Sequence, residues 1–301
     1  MSPALHGILV TYRRHDDLAR YLDVLRGQTV RLERLVVVDN EASPVVADLV
    51  RAAADVAERV DHLLMPENTG PAGAIAAGMG ELLTTAGDDE WMFLLDDDDP
   101  PVRDDTLAAI AAVAADLTAR GDDCGAVGAW GARLDRWTGR LRFVPDTDPV
   151  EVDYVSGNSL PLYRVGALRR VGVGPAELFF GFDDLELGLR LRAGGFTVWS
   201  AGLAAVHGLG GSARPGRVSG RVTPPTWRRY YSLRNLVWIY RRYGLVVPAL
   251  FVSVTAGLLK PLVNLPFSPR VAGRSLRQNM SALRDGWSGR LGRSVDPGPV
   301  R

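Results

Sequence analysis

The stretch "WMFLLDDDDP" (residues 91–100) decides how the rest of the chain is read. Five mostly apolar residues run straight into Asp96, Asp97, Asp98 and Asp99, and Pro100 closes the run. A short apolar run bounded by a proline reads as a buried strand. Four adjacent carboxylates repel one another, so they belong either in a solvated turn or around a cation. Two earlier runs share the pattern: "HGILVTY" (6–12) ends in Thr11 and Tyr12, and "LERLVVVDN" (32–40) ends in Asp39 and Asn40. Helical patterns cover 13–28, 44–58 and 103–120, a short strand covers 61–65, and 67–83 begins as a loop and continues as a helix of small residues. Strand and helix therefore alternate with a period of roughly 30 residues, which predicts an α/β fold with a Rossmann-like, mostly parallel sheet. Ligands of such sheets bind beyond the carboxyl ends of the strands. Thr11, Asp39 and the aspartates all fall there, and an all-oxygen set suits Mn²⁺ or Mg²⁺ shared with substrate phosphates.

With 301 residues, 47% of them hydrophobic, the chain is long enough for one large domain with an appendage. Cys124 is the single cysteine. A disulfide framework is thereby excluded, and a reducing cytosol is the natural compartment. No basic segment followed by an apolar one opens the sequence, so no secretory signal is expected. The formal net charge of zero hides a division. From Arg214 onward there are 16 basic and two acidic residues, leaving 19 basic and 33 acidic residues before it. A balance of +14 against −14 implies an anionic partner, such as a phosphate group or a membrane surface.

After Cys124 the elements shorten, with strands expected at 127–134, 141–145 and 156–163. "FDDLELGLRLRAGG" (182–195) reads as a helix with acids in its first turn and a glycine stop. A carboxylate at a helix start is held ionised and can act as a general base, although Asp183 also makes a good N-cap. "FTVWS" and "LAAVHG" close this region as two strands, the second carrying His207, a candidate nitrogen ligand for the same cation. Gly70, Gly73, Gly78 and Gly80 in "ENTGPAGAIAAGMG" permit close backbone approach to a ligand. Neither a dinucleotide fingerprint nor a P-loop is present. Residues 208–225 are rich in Gly, Arg and Pro and are expected to form a mobile loop. A helix over 226–243 interleaves Arg with Trp and Tyr, as at a membrane interface. The apolar segment 245–259 contains Pro248 and is short for a spanning helix. The charge would also suit nucleic acid, but no nucleic-acid motif accompanies it. Residues 1–210 are therefore expected to form the domain that holds the candidate catalytic and binding residues. Residues 211–301 are expected to form a mobile loop and a basic helical extension that associates with a membrane surface.

The ordered motifs "VTYRR", "VVVDN", "ENTGPAG", "FLLDDDD", "FFGFDDLELGLRLRAGG" and "AAVHG" resemble the family-two inverting glycosyltransferases of GT-A fold, over about residues 5 to 210. "VTYRR" with "YYSLRN" (230–235) is similar to bacterial galactofuranosyltransferases and their rhamnosyltransferase relatives. The resemblance implies a nucleotide-sugar pocket of Thr11, Tyr12, Arg13, Asp39, Asn68, Gly70, Asp96 and Asp97. It implies metal ligation by Asp98 and His207, with 96/98 and 97/99 both open as the register of the acidic motif. Asp184 is implied as the general base, and Asp183 as a contact to acceptor or donor sugar. Phe182 stands where several relatives carry Trp or Tyr. The implied reaction moves a sugar, galactofuranose from its UDP donor or rhamnose from a dTDP donor, to a hydroxyl of a cell-wall or polyprenyl-diphosphate-linked glycan. The implied place is the cytoplasmic face of the cell membrane. A nucleotidyltransferase would carry a Gly-rich loop after its first strand, which "VTYRR" lacks, and a non-catalytic scaffold would have no need of Asp98, Asp184 and His207 together.

Overall fold

The computed structural model describes residues 3–145, 147–203, 226–263 and 265–296. His207 and the loop expected at 208–225 lie outside them. Four strands, β1 (Leu5–Thr11), β2 (Leu32–Asp39), β3 (Ala57–Leu64) and β4 (Trp91–Asp96), alternate with α1 (His15–Arg26), α2 (Pro44–Ala52), α3 (Gly70–Leu83) and α4 (Thr106–Ala119). There follow β5 (Cys124–Gly128), β6 (Gly131–Leu134), β7 (Leu141–Phe143), β8 (Val150–Glu151), β9 (Tyr154–Val155), β10 (Leu162–Arg164), α5 (Val165–Val171), α6 (Asp183–Ala193) and β11 (Thr197–Ser200). The main sheet has the order β3-β2-β1-β4-β10-β5-β11-β8. β3, β2, β1 and β4 are parallel, as are β5 and β11, while β10 runs antiparallel between β4 and β5.

Period-two alternation sends the side chains of each central strand into two layers. Leu9, Leu35, Val37, Phe93 and Leu95 pack under one cover with Leu18, Leu22, Val46, Val50 and Ile110. Ile8, Val36, Val38, Met92 and Leu94 pack on the other face with Met79, Leu82, Leu187 and Leu191. Burial on both faces is why these strands read as continuous apolar runs. α3 lies very close to the sheet: a Cβ on Gly78 would stand 2.5 Å from Ile8 Cγ2 and 2.9 Å from Val38 Cγ2.

The chain divides into two compact units. The first comprises 1–133, 143–175 and 184–213 and holds the main sheet. The second comprises 134–142, 176–183 and 214–301 and holds α7 (Trp227–Arg242), α8 (Val246–Val252), α9 (Lys260–Val263) and α10 (Pro269–Ser288). Two expectations about this second unit need correction. The aromatic belt expected on α7 is reduced by half, because Tyr230, Tyr231 and Tyr240 are all at most 2% exposed, while Trp227, Trp238 and Tyr243 are half-buried. The apolar segment is also longer than expected, because a π-helical stretch over 253–259 joins α8 to α9 into an apolar helix of 18 residues, Val246–Val263. By length and composition alone that is enough to cross a bilayer.

Candidate active site

Parallel register places three polar strand ends side by side: Thr11 is paired with Asp39, and Val10 with Asp96. Each strand stops where its apolar run meets a residue that prefers polar partners, so the sheet edge becomes a shelf of hydroxyl and carboxylate groups. Asp97 is 2% exposed and accepts hydrogen bonds from Thr11 Oγ1 (2.7 Å) and Arg14 Nη1 (3.0 Å). Arg14 also pairs with Asp98 Oδ2 at 2.5 Å. Its pKa is raised, since the hydrogen bond to Asp97 and the charges of Asp98, Asp97 and Asp96 outweigh desolvation.

The oxygens of Asp96, Asp97 and Asp98 lie within 4.8 Å of one another. Asp96 keeps an edge open to solvent, yet desolvation and repulsion from Asp98 and Asp97 push it up to about 7. Asp99 is also raised, by desolvation and by Asp98, and its Oδ2 is buried with no hydrogen-bond partner among the described residues. The run is thus short of positive charge, and its donors are all oxygens, so it fits a hard divalent cation. Asp97 is engaged by Thr11 and Arg14, Asp98 Oδ2 by Arg14 and Asp96 by Asp98, while Asp99 Oδ2 has no partner among the described residues, so the geometry leaves both registers of the acidic motif, 96/98 and 97/99, open.

Asp39 is fully buried, and its carboxylate accepts from the backbone N–H groups of Glu41 (3.1 Å) and Ser43 (2.7 Å) and meets His62 Nε2 at 3.2 Å. Its neighbour Asn40 ties β2 to the loop before α3: Oδ1 accepts from the backbone N–H of Thr69 at 3.0 Å, and Nδ2 donates to Asn68 Oδ1 and Gly70 O, both at 3.3 Å. Asn68 Oδ1 in turn accepts from Gly70 N–H at 2.9 Å. Gly70 opens α3 at φ +71°, a left-handed conformation that glycine adopts without strain. Arg13 takes that region too (φ +57°), which turns its N–H to Glu41 Oε1 and its guanidinium over the Tyr12 ring. Of the two adjacent arginines it is therefore Arg14 that faces the acids.

Asp184 sits in the first turn of α6. Its Oδ1 accepts from Leu185 N–H (2.8 Å) and its Oδ2 from Gly157 N–H (3.2 Å), with a further hydrogen bond to the Ser156 side chain. Desolvation nevertheless dominates and holds its carboxyl above the usual carboxylate range. The Gly157–Ser159 turn that supports it packs against β4, the strand that ends in the acids. Glu186 is excluded as an alternative base: it is fully buried and paired with Arg190 at 2.7 and 3.1 Å. Sequence reasoning named Arg13 and set Asn40 beside Asp39 at a strand end, but missed Arg14, Ser156 and Gly157. "VTYRR" contains Arg14 without distinguishing it from Arg13, and nothing in "YVSGNS" distinguished Ser156 and Gly157 from an ordinary turn.

Residues 8–145 match the profile described as glycosyl transferase family 2. The chain carries a glycosyl transferase family 2 domain. Galactofuranosyltransferase GlfT1 of Mycobacterium tuberculosis is similar to it at 29% identity over 271 residues, covering 81% of this chain and 84% of GlfT1. Among solved structures, the mannosyltransferase PcManGT from Pyrobaculum calidifontis, in complex with GDP-Man and Mn²⁺, aligns at 18% identity and a TM-score of 0.53. That alignment covers 96% of this chain and 76% of PcManGT. S. aureus TarS 1–349 in complex with UDP-GlcNAc aligns at 15% identity and a TM-score of 0.56, covering 94% of this chain and 80% of TarS. These likenesses give the chain a GT-A fold, and its helical C-terminal region lies beyond the residues the profile matches.

Proposed function

We propose that the protein is an inverting galactofuranosyltransferase that moves the sugar from UDP-galactofuranose to a hydroxyl of a cell-wall or lipid-linked glycan. The observation that carries the chemistry is the meeting of Thr11, Arg14, Asp96, Asp97 and Asp98 at adjacent strand ends. The likeness to GlfT1 over most of both chains supports the sugar, and the nucleotide-sugar complexes of PcManGT and TarS support the donor class.

In this reading Asp184 takes the proton from the acceptor hydroxyl as that oxygen attacks the anomeric carbon, opposite to the departing diphosphate. Its raised pKa brings it nearer to the operating pH, where a base is most effective. Asp183 contacts a sugar. Asp96 and Asp98, with His207, would hold Mn²⁺ or Mg²⁺, which supplies positive charge to the leaving nucleoside diphosphate. Arg14 lies at the same acids, and the α3 N-terminus, opened by Gly70 and braced by Asn40 and Asn68, favours an anion. Thr11, Tyr12, Arg13 and Asp39 frame the nucleotide pocket. In Asp39's case this is by fixing the 41–43 turn, since both its oxygens are engaged.

The protein is further proposed to work from the cytoplasmic face of the membrane, docked on anionic lipid through the exposed apolar face of the 246–263 helix. Purified protein offered UDP-galactofuranose, dTDP-rhamnose and GDP-mannose, with a short glycan acceptor and Mn²⁺, tests the donor. Transfer from UDP-galactofuranose at least about tenfold faster than from the others is expected. Preference for dTDP-rhamnose would overturn the sugar while keeping the reaction class.

A further inference from the structure

"YYSLRN" (230–235) took part in the family resemblance without any chemical role attached to it. Within the second unit, Arg234 and Asn235 are both fully buried on α7. The Arg234 guanidinium is surrounded by carbonyls: Nη1 donates to Gly292 O (2.6 Å), Nη2 to Leu178 O (2.8 Å) and Glu177 O (3.3 Å), and Nε to Asn235 Oδ1 (2.9 Å). The Tyr231 ring lies 4.7 Å from its carbon centre. Asn235 Nδ2 shares Leu178 O (3.0 Å) with Arg234 and reaches two further acceptors, Phe180 O (2.9 Å) and Gly181 O (2.9 Å). Two adjacent residues on one helix thus capture four consecutive-turn carbonyls, from Glu177 to Gly181.

The captured segment is strained. Phe179 (φ +62°), Gly181 (φ +81°) and Phe182 (φ +65°) all sit in the left-handed region, and two of them are phenylalanines. Bulky residues stay there only when their surroundings over-determine the conformation. Phe182 leads directly into Asp183 and Asp184. A buried guanidinium solvated by carbonyls is also a poor device for stability alone, because well-packed apolar residues would avoid its desolvation.

We propose that Arg234 and Asn235 are positioning residues for the transfer reaction. By clamping the carbonyls of 177–181 they hold the strained turn that sets Phe182, Asp183 and Asp184 at the head of α6. The proposal rests on the reading of Asp184 as the base.

The test uses the full chain with Asn235→Ala, Asn235→Asp and the conservative Arg234→Lys. Amide exchange in peptides over 177–185 should rise on the order of tenfold in Asn235→Ala, while β2 peptides stay unchanged. The kcat should fall on the order of tenfold or more with donor KM within about twofold, because misplacement near the reacting centre costs turnover more than binding. The acid limb of the kcat–pH profile should move to lower pH as Asp184 becomes hydrated, a shift that loss of stability alone would not produce. Arg234→Lys keeps the charge and should show the same pattern in weaker form, so it carries the test if the alanine variant does not fold. Unchanged exchange over 177–185 overturns the clamp. Raised exchange with kcat and the acid limb intact overturns its positioning role. Asp184→Asn is the control: if it retains turnover, the base assignment falls, and the exchange and kcat of the Asn235 variants still decide the clamp.

Discussion

In the proposed reaction Asp184 is the general base and must be ionised when the acceptor arrives, yet it is held between opposing influences. Desolvation raises its pKa, while Leu185 N–H, Gly157 N–H and Ser156 lower it, and desolvation prevails. Because the folded-state pKa lies above the ordinary aspartate value, turnover should fall with decreasing pH earlier than a solvent-exposed aspartate (about 3.9) would allow. Asp184→Asn should lower kcat by about 10²-fold or more while UDP binding is retained, and steady-state kinetics with calorimetry separates the two. A second expectation concerns Asp96, pushed up to about 7 by desolvation and by Asp98 and Asp97. A cation on Asp96 and Asp98 would favour the ionised form, so Mn²⁺ binding near neutral pH should release protons and weaken as pH falls through about 7. Titration of Mn²⁺ in buffers of different ionisation enthalpy reads this directly, and Asp98→Asn should abolish the binding. At this scale the acids were legible because they interrupt apolar or helical patterns. Arg14 was not, since the choice between two adjacent arginines follows from the left-handed backbone at Arg13.

Among the elements, the parallel half of the sheet was readable because burial on both faces writes unbroken apolar runs into β1, β2 and β4. The misread boundaries lie where tertiary pairing overrides local preference. The helix expected over 44–58 stops at Ala52, and β3 begins at Ala57, because Leu32 to Asp39 of β2 offer a full parallel ladder to 57–64. The single strand expected over 127–134 divides into β5 and β6. The one expected over 156–163 shrinks to β10 (162–164), with a 3₁₀ turn at 157–159 and a left-handed Leu160 before it. That turn supports Asp184, so the strand pattern concealed part of the site. α3 gives the sharpest prediction at this scale. Gly78→Ala places a methyl 2.5 Å from Ile8 Cγ2, so the helix must lift from the sheet at a cost of about 1–3 kcal/mol. Thermal unfolding should show a lower Tm. Donor affinity should weaken with it, because α3 carries the Asn68–Gly70 loop that Asn40 secures.

At the scale of the whole molecule, the division between an acidic body and a +14 tail section bears on where the enzyme works. The 246–263 helix is mostly apolar, with Lys260 as its one charged residue, and is packed on one side only. Ala249, Ser253, Gly257 and Pro261 recur every four residues and are buried, with Asn279 donating to Ala256 O and Gly257 O and Trp287 to Ser253 Oγ. Val247, Leu250, Phe251, Val254, Leu259, Leu262 and Val263 are exposed, and Phe267 beyond them is 79% exposed. A helix held along one flank by polar contacts favours lying in the plane of a bilayer rather than crossing it. Exposed arginines stand at both ends of the segment, Arg241 and Arg242 before it and Arg270, Arg274 and Arg277 after it. Two copies meeting through this face would bring like charges together, whereas anionic lipid complements them at about 1 kcal/mol per arginine. Arg241 also donates to Gly286 O and Trp287 O, so a charge reversal there would disturb packing. Arg274→Glu with Arg277→Glu tests the charge instead, and Leu250→Glu with Val254→Glu tests the insertion. Both pairs should abolish flotation with anionic liposomes while leaving transfer to a short soluble acceptor within about twofold, since exposed positions change stability little. Salt should release only part of the wild-type protein, because screening weakens the arginines and not the apolar insertion. Wild-type protein that fails to float at low salt would remove the membrane from this account. A sedimentation shift broken by Leu250→Glu would then assign the face to a second copy.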